Sequence, residues 1–274
     1  MSKIKTGRNL PLATLIGLIL ITLVIASLFI YKYVFIILAL IALLLGAREF
    51  TNQWSKTKNV PISFLLVSLS IIAMTISAAL SGINGLLTSY LIAILLNLFY
   101  SIFKNKKVDF SNIFWVTTFV ISYLGIFGSL AMLMLRVEDG ASRVFLFIAI
   151  TALSDTGGYL TGIVLGKHRL APNISPNKSY EGLIGSIIFA SLFAGIIGPR
   201  FLDITSVQGV IIGIVLAFSG TLGDLFESGI KRKLGIKDFS TLIPGHGGMF
   251  DRLDSLAPNA LMSFLLFGYF LGFN

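Results

Sequence analysis

The chain has 274 residues, of which 55% are apolar and only 12% charged, with a formal net charge of +9 and no cysteine. Soluble domains carry roughly 25% charged residues, so an ordinary soluble globular protein is excluded, and the missing cysteines exclude disulfides and thiolate metal sites. Apolar runs of 17 or more residues recur along the chain, long enough to cross a hydrocarbon core as helices, and the fold class predicted is an all-α polytopic membrane protein.

The opening MSKIKTGRNLPLATLIGLILITLVIA begins with basic residues, as a signal peptide does, but no A-x-A site follows and the apolar stretch runs past Ala26. It reads as a retained first span. Nine spans are predicted, near 10–30, 33–47, 61–80, 83–103, 113–135, 143–166, 182–198, 207–230 and 257–273. Lys/Arg clusters, Pro61, Pro172, Pro176, Pro199, Pro244, Pro258 and the EDG turn at 138–140 separate them. With the N-terminus in the cytoplasm, 17 of the 21 Lys and Arg residues fall inside, leaving Lys32, Arg136, Arg143 and Arg200 outside. Basic residues are retained on the cytoplasmic side during insertion, so the partition supports both orientation and parity. The net charge is then a topology signal that needs no nucleic-acid partner. No internal repeat is apparent, and the chain forms one helical unit in which 1–140 act mainly as scaffold and 141–274 carry the site.

The chemistry gathers in two long cytoplasmic loops and the spans before them. Span six and its loop read ALSDTGGYLTGIVLGKHRLAPNISPNKSYEG. Asp155 is a lone acid in an apolar span; capping a helix break is its structural alternative. The loop adds Lys167, His168, Arg169, Ser175, Lys178 and Glu181 on a turn-rich connector that could fold over a site, with His168 read as a solvated residue.

Span eight, FSGTLGDLFESGIKRK, places Asp224 and Glu227 three residues apart, on one helix face. Acids in a span are costly and usually face a protein interior or a water-filled cavity; an interfacial helix end is the alternative for Glu227. Lys231, Arg232, Lys233, Lys237 and Asp238 follow, then IPGHGGMFDRLDS from Ile243 to Ser255. Gly245, Gly247 and Gly248 permit positive φ and close backbone approach, the property that presents N–H groups to phosphate oxygens. Asp251 and Asp254 form a second carboxylate pair, and hard oxygen ligands of this kind suit Mg²⁺. His246 stands beside them, but two histidines in the chain are too few for a histidine metal site. Carboxylates for metal, glycines for phosphate and basic residues for further phosphate charge together describe phosphoryl or nucleotidyl transfer.

The segment from Ser228 to Asp254, SGIKRKLGIKDFSTLIPGHGGMFDRLD, resembles the signature of the phosphatidate cytidylyltransferases, also called CDP-diglyceride synthases. The matching positions are Ser228, Lys231, Arg232, Lys237, Asp238, Ser240, Pro244, His246, Gly247, Gly248, Asp251, Arg252 and Asp254. SDTGGY and GKHRLAPNISPNKSYEG resemble two further elements of that family, with Gly158 in place of the common Ala, Asn177 of Lys and Tyr180 of Trp. The resemblance implies an all-helical homodimer in the inner membrane, its site facing the cytoplasm, that converts CTP and phosphatidic acid into CDP-diacylglycerol and pyrophosphate. It also implies Mg²⁺, with a second cation such as K⁺, held by Asp224 and Asp251 with Asp254 close behind. Lys231, Arg232, Lys237 and Arg252 would bind phosphates, aided by the N–H groups of Gly247 and Gly248. Lys167 and Lys178 would close over the nucleotide, and Asp155 and Glu181 would position it or a cation.

Two other readings stay open on the residues alone. Intramembrane acids could serve a cation or proton relay, although these cluster at one face. A CTP-dependent polyprenol kinase would use similar motifs with a hydroxyl acceptor and release CDP. The D-G-x₂-A-R-x₈-G-x₃-D-x₃-D pattern of CDP-alcohol phosphotransferases is absent.

Overall fold

A computed structural model of the chain describes residues 10–104, 109–243 and 247–273. Nine α-helices follow in order: α1 (Leu10–Ile30), α2 (Lys32–Lys58), α3 (Phe64–Lys104), α4 (Phe110–Val120), α5 (Phe127–Leu135), α6 (Gly140–Leu165), α7 (Tyr180–Phe201), α8 (Ser206–Leu234) and α9 (Leu256–Leu271). A single π-helical stretch, Ile121–Ile126, joins α4 to α5. Among the described residues six helices are long and apolar enough to cross a membrane: α2, α3, the joined Phe110–Leu135, α6, α7 and α8. The protein is an all-α polytopic membrane protein.

The predicted spans 61–80 and 83–103 are two arms of α3. Gly82 takes φ +69°, a left-handed conformation open to glycine, and the chain reverses there. The Ser77 hydroxyl donates to Ser89 Oγ at 2.8 Å, whereas twelve residues of straight helix would hold them about 18 Å apart. Arg136 donates to the carbonyls of Ala78 and Ala79 at the end of the first arm, groups the broken helix leaves without partners. Val67, Ile71, Met74 and Ala78, all fully buried, form the core stripe of that arm.

In hydrocarbon the hydrophobic effect does not pull helices together, so close packing of small residues has to. Helix α7 carries Gly182, Ser186, Ala190, Ala194 and Gly198, one small residue per turn along its buried face. Its neighbour α8 answers with Gly209, Gly213 and Ala217, and a Cβ on Gly213 would stand only 2.6 Å from the Ala190 carbonyl oxygen. On the other flank Ser186 Oγ donates to the Ser154 carbonyl of α6 at 2.8 Å. These three helices are the tightest unit of the bundle and carry Asp155, Glu181, Asp224 and Glu227.

Two departures from the sequence reading shape the site. The connector after α6 was expected to be irregular, yet it forms an antiparallel hairpin of β1 (Arg169–Ala171) and β2 (Ser175–Ser179). A turn over Pro172–Ile174 closes it, and Ser179 then caps α7 by accepting from Gly182 N at 3.1 Å. Helix α2 was expected to end near residue 47 with its apolar run, yet it continues to Lys58. Its added turns bury Phe50, whose ring stands 5.2–5.7 Å from those of Trp54, Phe119, Phe239 and Phe250. Tertiary packing, rather than hydropathy, sustains this extension.

Candidate active site

Helix α8 delivers Asp224 and Glu227 on one face, as their spacing predicts. Beside them stands the segment entering α9, and the reason is steric: a Cβ on Gly223 would lie 2.2 Å from the Asp254 carbonyl oxygen and 2.5 Å from Pro258 Cγ. Only glycine at this position lets residues 254–258 press against α8, and that contact brings Asp254 beside Asp224. From α6, Asp155 accepts a hydrogen bond from Ser255 Oγ at 3.0 Å, and one turn away Asn259 donates to Thr151 Oγ1 at 2.9 Å. Asp254 is close enough to act electrostatically on Asp155, Asp224 and Glu227 alike.

The hairpin closes one side. Lys178 on β2 reaches Asp224 Oδ2 at 2.5 Å and the Thr221 carbonyl at 3.4 Å. A cavity of about 650 Å³ opens between hairpin, α6, α7 and α8. Its lining includes the polar residues Asp155, Lys178, Asp224, Arg169 and Asn177 and the apolar residues Tyr159, Ile163, Leu170 and Leu183. Tyr159 and Ile163 are also exposed.

Next to the cavity lies a second polar cluster. Glu227 is 1% exposed, and Lys231 sits 3.2 Å from its Oε1 and 2.9 Å from Asp251 Oδ1. The first contact lacks hydrogen-bond geometry, and both Glu227 oxygens are buried without a hydrogen-bond partner among the described residues. Asp251 accepts from Gly248 N at 2.9 Å and Phe239 N at 3.0 Å through Oδ2. Burial opposes ionisation of its carboxyl, but hydrogen bonding from Lys231, that cation's charge and the Gly248 N–H hold it below the usual carboxylate range.

Several predicted residues have different neighbours from those expected. The N–H groups of Gly247 and Gly248 donate to the Ile243 carbonyl and to Asp251, so neither is directed at a phosphate. The positive φ anticipated in this loop is present at Gly247, +85°, where it closes a two-way backbone bridge with Ile243. His246 and Gly245 lie outside the described residues. Lys231 is an internal bridge instead of an exposed phosphate ligand. Glu181 accepts the backbone N–H groups of Lys167 and His168 and contacts His168 Nδ1 at 2.6 Å, so it holds the turn into the hairpin. Arg232 donates from Nε to the Ile174 carbonyl and fastens the hairpin tip to α8. Lys167, Lys237, Asp238 and Arg252 are exposed, and Ser228 is half-buried beside Glu227.

Five acidic side chains (Asp155, Asp224, Glu227, Asp251, Asp254) thus gather with Lys178, Arg169, Lys231 and Arg252 across the two clusters. Asp224, Asp251 and Asp254 are the hard oxygen donors among them that could hold a metal ion. Among the described residues no three acidic or histidine side chains form a ready-made metal cage.

Glu49 of α2 escaped the sequence reading. Its carboxylate accepts from Ser240 Oγ at 2.6 Å, Met249 N at 3.0 Å and Phe250 N at 2.8 Å. It is the first acid in the chain, with none other before Asp109, and that isolation was the available signal. Tyr123, on the π-helical stretch, was missed too; its hydroxyl donates to the Asp254 carbonyl at 3.2 Å.

Comparison with known proteins adds an independent line. The profile described as "Cytidylyltransferase family" matches residues 12–270. A Mycobacterium bovis protein named phosphatidate cytidylyltransferase is 30% identical over 281 residues, covering 96% of this chain and 89% of its own. A Staphylococcus haemolyticus protein of the same name is 36% identical over 222 residues, or 80% of this chain and 82% of its own. One from Mycobacterium leprae is 44% identical over 151 residues, covering 55% of this chain and 48% of its own.

Proposed function

Because the chain belongs to the cytidylyltransferase family, we propose that it transfers CMP from CTP to phosphatidate, giving CDP-diacylglycerol and pyrophosphate. The observation that carries the proposal is the mixed lining of the cavity. Its polar residues (Asp155, Lys178, Asp224) suit phosphate groups, and its apolar ones (Tyr159, Ile163, Leu170, Leu183) suit acyl chains.

A phosphate monoester loses its second proton with a pKa of about 6, so phosphatidate arrives as a nucleophile and needs no strong general base. One of its oxygens attacks the α-phosphorus of CTP, the bond to the bridging oxygen of the β-phosphate breaks, and pyrophosphate leaves. The protein's task is to align two anions and to meet charge that develops on the α-phosphate and leaving group. Lys178, held against Asp224, lines the cavity and can shift its hydrogen bonds to an entering phosphate. Exposed Lys167, Lys237 and Arg252 supply charge for the triphosphate. Lys231 keeps Glu227 and Asp251 from repelling one another.

The proposal includes Mg²⁺, with a second cation such as K⁺, held by Asp224, by Asp254 and by Asp251 through Oδ1, which has one hydrogen bond and a lone pair to spare. When bound, such ions neutralise phosphate charge and orient the two substrates. It further includes nine spans, a cytoplasmic N-terminus, a cytoplasm-facing site in the inner membrane and a homodimer. The experiment is incubation of purified protein with labelled CTP, phosphatidate and Mg²⁺, with and without EDTA. Label entering lipid with release of pyrophosphate, lost to EDTA and restored by Mg²⁺, is the expected result. Release of CDP with a polyprenol acceptor would overturn the assignment in favour of a kinase.

A further inference from the structure

Residues 239–243 and 247–250 lead into Asp251 and Asp254, and their polar groups are answered by two carboxylates, one local and one from a distant part of the chain. Phe239 N and Gly248 N donate to Asp251, while Ser240 Oγ, Met249 N and Phe250 N donate to Glu49. Three consecutive N–H groups, 248 to 250, are thus divided between an acid of the loop itself and an acid some 200 residues earlier. Gly248 is enclosed between them: a Cβ there would lie 2.6 Å from Glu49 Oε2 and 2.8 Å from Asp251 Oδ2. One helical turn further along α2, Gln53 donates to the Phe239 carbonyl at 2.8 Å, and Phe50 stacks on Phe239 and packs at a tilt against Phe250. Among the described residues this buried acid accepts only from neutral donors, three of them across its two oxygens, a costly way to hold a charge unless those donors need it.

We propose that Glu49 is a positioning residue: the cytoplasmic extension of α2 uses its carboxylate to lock the 239–250 loop, and thereby sets where Asp251 and Asp254 stand. This rests on the nucleotidyltransferase reading only for its effect on catalysis. The lock itself is a property of the loop. The carboxylate is required because it offers acceptors at both oxygens. In Glu49→Gln one oxygen becomes an NH₂ group that faces a donor, and either Phe250 N or Met249 N loses its partner inside the protein.

The test uses the full-length protein in detergent and pairs two readouts. The first is limited trypsinolysis after the exposed Lys237 and Arg252, without CTP or metal. The second is the Mg²⁺ dependence of CMP transfer. Glu49→Gln is expected to speed cleavage at Lys237 by about tenfold or more, to lower kcat by about tenfold and to raise the Mg²⁺ concentration for half-activity, with KM for phosphatidate near wild type. Ser240→Ala, which removes one of the three donors, should move both readouts the same way by less. Unchanged cleavage at Lys237 in Glu49→Gln overturns the proposal. So does cleavage that rises equally at all sites together with a fall in Tm, which would mark Glu49 as a support of the whole bundle. If the wild-type protein transfers no CMP, the functional reading fails and the Lys237 cleavage rate alone decides whether the lock exists.

Discussion

Gly223→Ala puts the construction of the site to its hardest test, because it adds one methyl group to a helix that should welcome it. Helix propensity favours Ala over Gly by about 1 kcal/mol. At this position, however, the new Cβ would stand 2.2 Å from the Asp254 carbonyl oxygen and 2.5 Å from Pro258 Cγ, where ordinary contact begins near 3.4 Å. Backbone and a proline ring have no rotamer to give way with, so the 254–258 segment has to retreat from α8 by about 1.2 Å. That movement separates Asp254 from Asp224 and pulls Ser255 away from Asp155. A displacement of about 1 Å at a reacting centre can cost on the order of 10²-fold in rate, or roughly 2.7 kcal/mol of transition-state stabilisation. The assay is kcat for CMP transfer by purified protein, with Tm measured in parallel. Gly229→Ala is the control on the same helix: nothing lies within 4 Å of its would-be Cβ, so kcat should hold while stability rises by about 0.4–1 kcal/mol. A Gly223→Ala enzyme within about threefold of wild-type kcat would refute the claim that this glycine sets the distance between the acids.

Gly158→Ala would place a Cβ 2.3 Å from Ser186 Oγ and displace the hydroxyl that bonds the Ser154 carbonyl; the loss should be about 1 kcal/mol, and Gly158→Ala should cost much less in a Ser186→Ala background, which has no hydroxyl to displace, in a double-mutant cycle read by thermal unfolding. Thr205 and Gln208 form a capping box at the start of α8, the end remote from the acids. Thr205→Ala should therefore lower stability by about 1 kcal/mol in denaturant unfolding and leave kcat unchanged.

What the sequence made legible were features whose cost is set by the bilayer. Apolar runs declare helices because hydrocarbon permits little else, and the break between 80 and 83 fell on Gly82, where α3 turns back. Asp155, Asp224 and Asp254 were legible as charges that a membrane protein would not keep without use, and the fold places the first two in the lining of one cavity with Asp254 near them. The hairpin at 169–179 was not legible, because its short strands and turn hold prolines and polar residues that read equally well as a loop. Nor was the direction of the Gly247 and Gly248 N–H groups. Glycine says that a backbone can approach something closely; it does not say whether that partner is a phosphate or, as here, the protein's own carboxylates.

Those carboxylates change what the GHGG segment is for. A loop whose N–H groups faced a phosphate would be shaped by its ligand and free to relax without it. In this chain Gly247 N–H is held by the Ile243 carbonyl and Gly248 N–H by Asp251, Glu49 takes the next two N–H groups, Lys231 joins Asp251 to Glu227, and Tyr123 donates to the Asp254 carbonyl. The loop is therefore set before any substrate arrives, which is the condition under which fixed charges lower a barrier without reorganising. The residues that set it come from α2 and from the π-helical stretch between α4 and α5, elements whose hydropathy marks them as spans and nothing more. A π-helical turn rotates the residues it carries out of α-helical phase, and Tyr123, at its third position, lies against Phe250 at 5.7 Å as well as reaching Asp254. Within the division into an N-terminal scaffold and a C-terminal site, the scaffold is thus more than a frame: Glu49 and Tyr123 from the N-terminal half bond directly to the segment that carries Asp251 and Asp254.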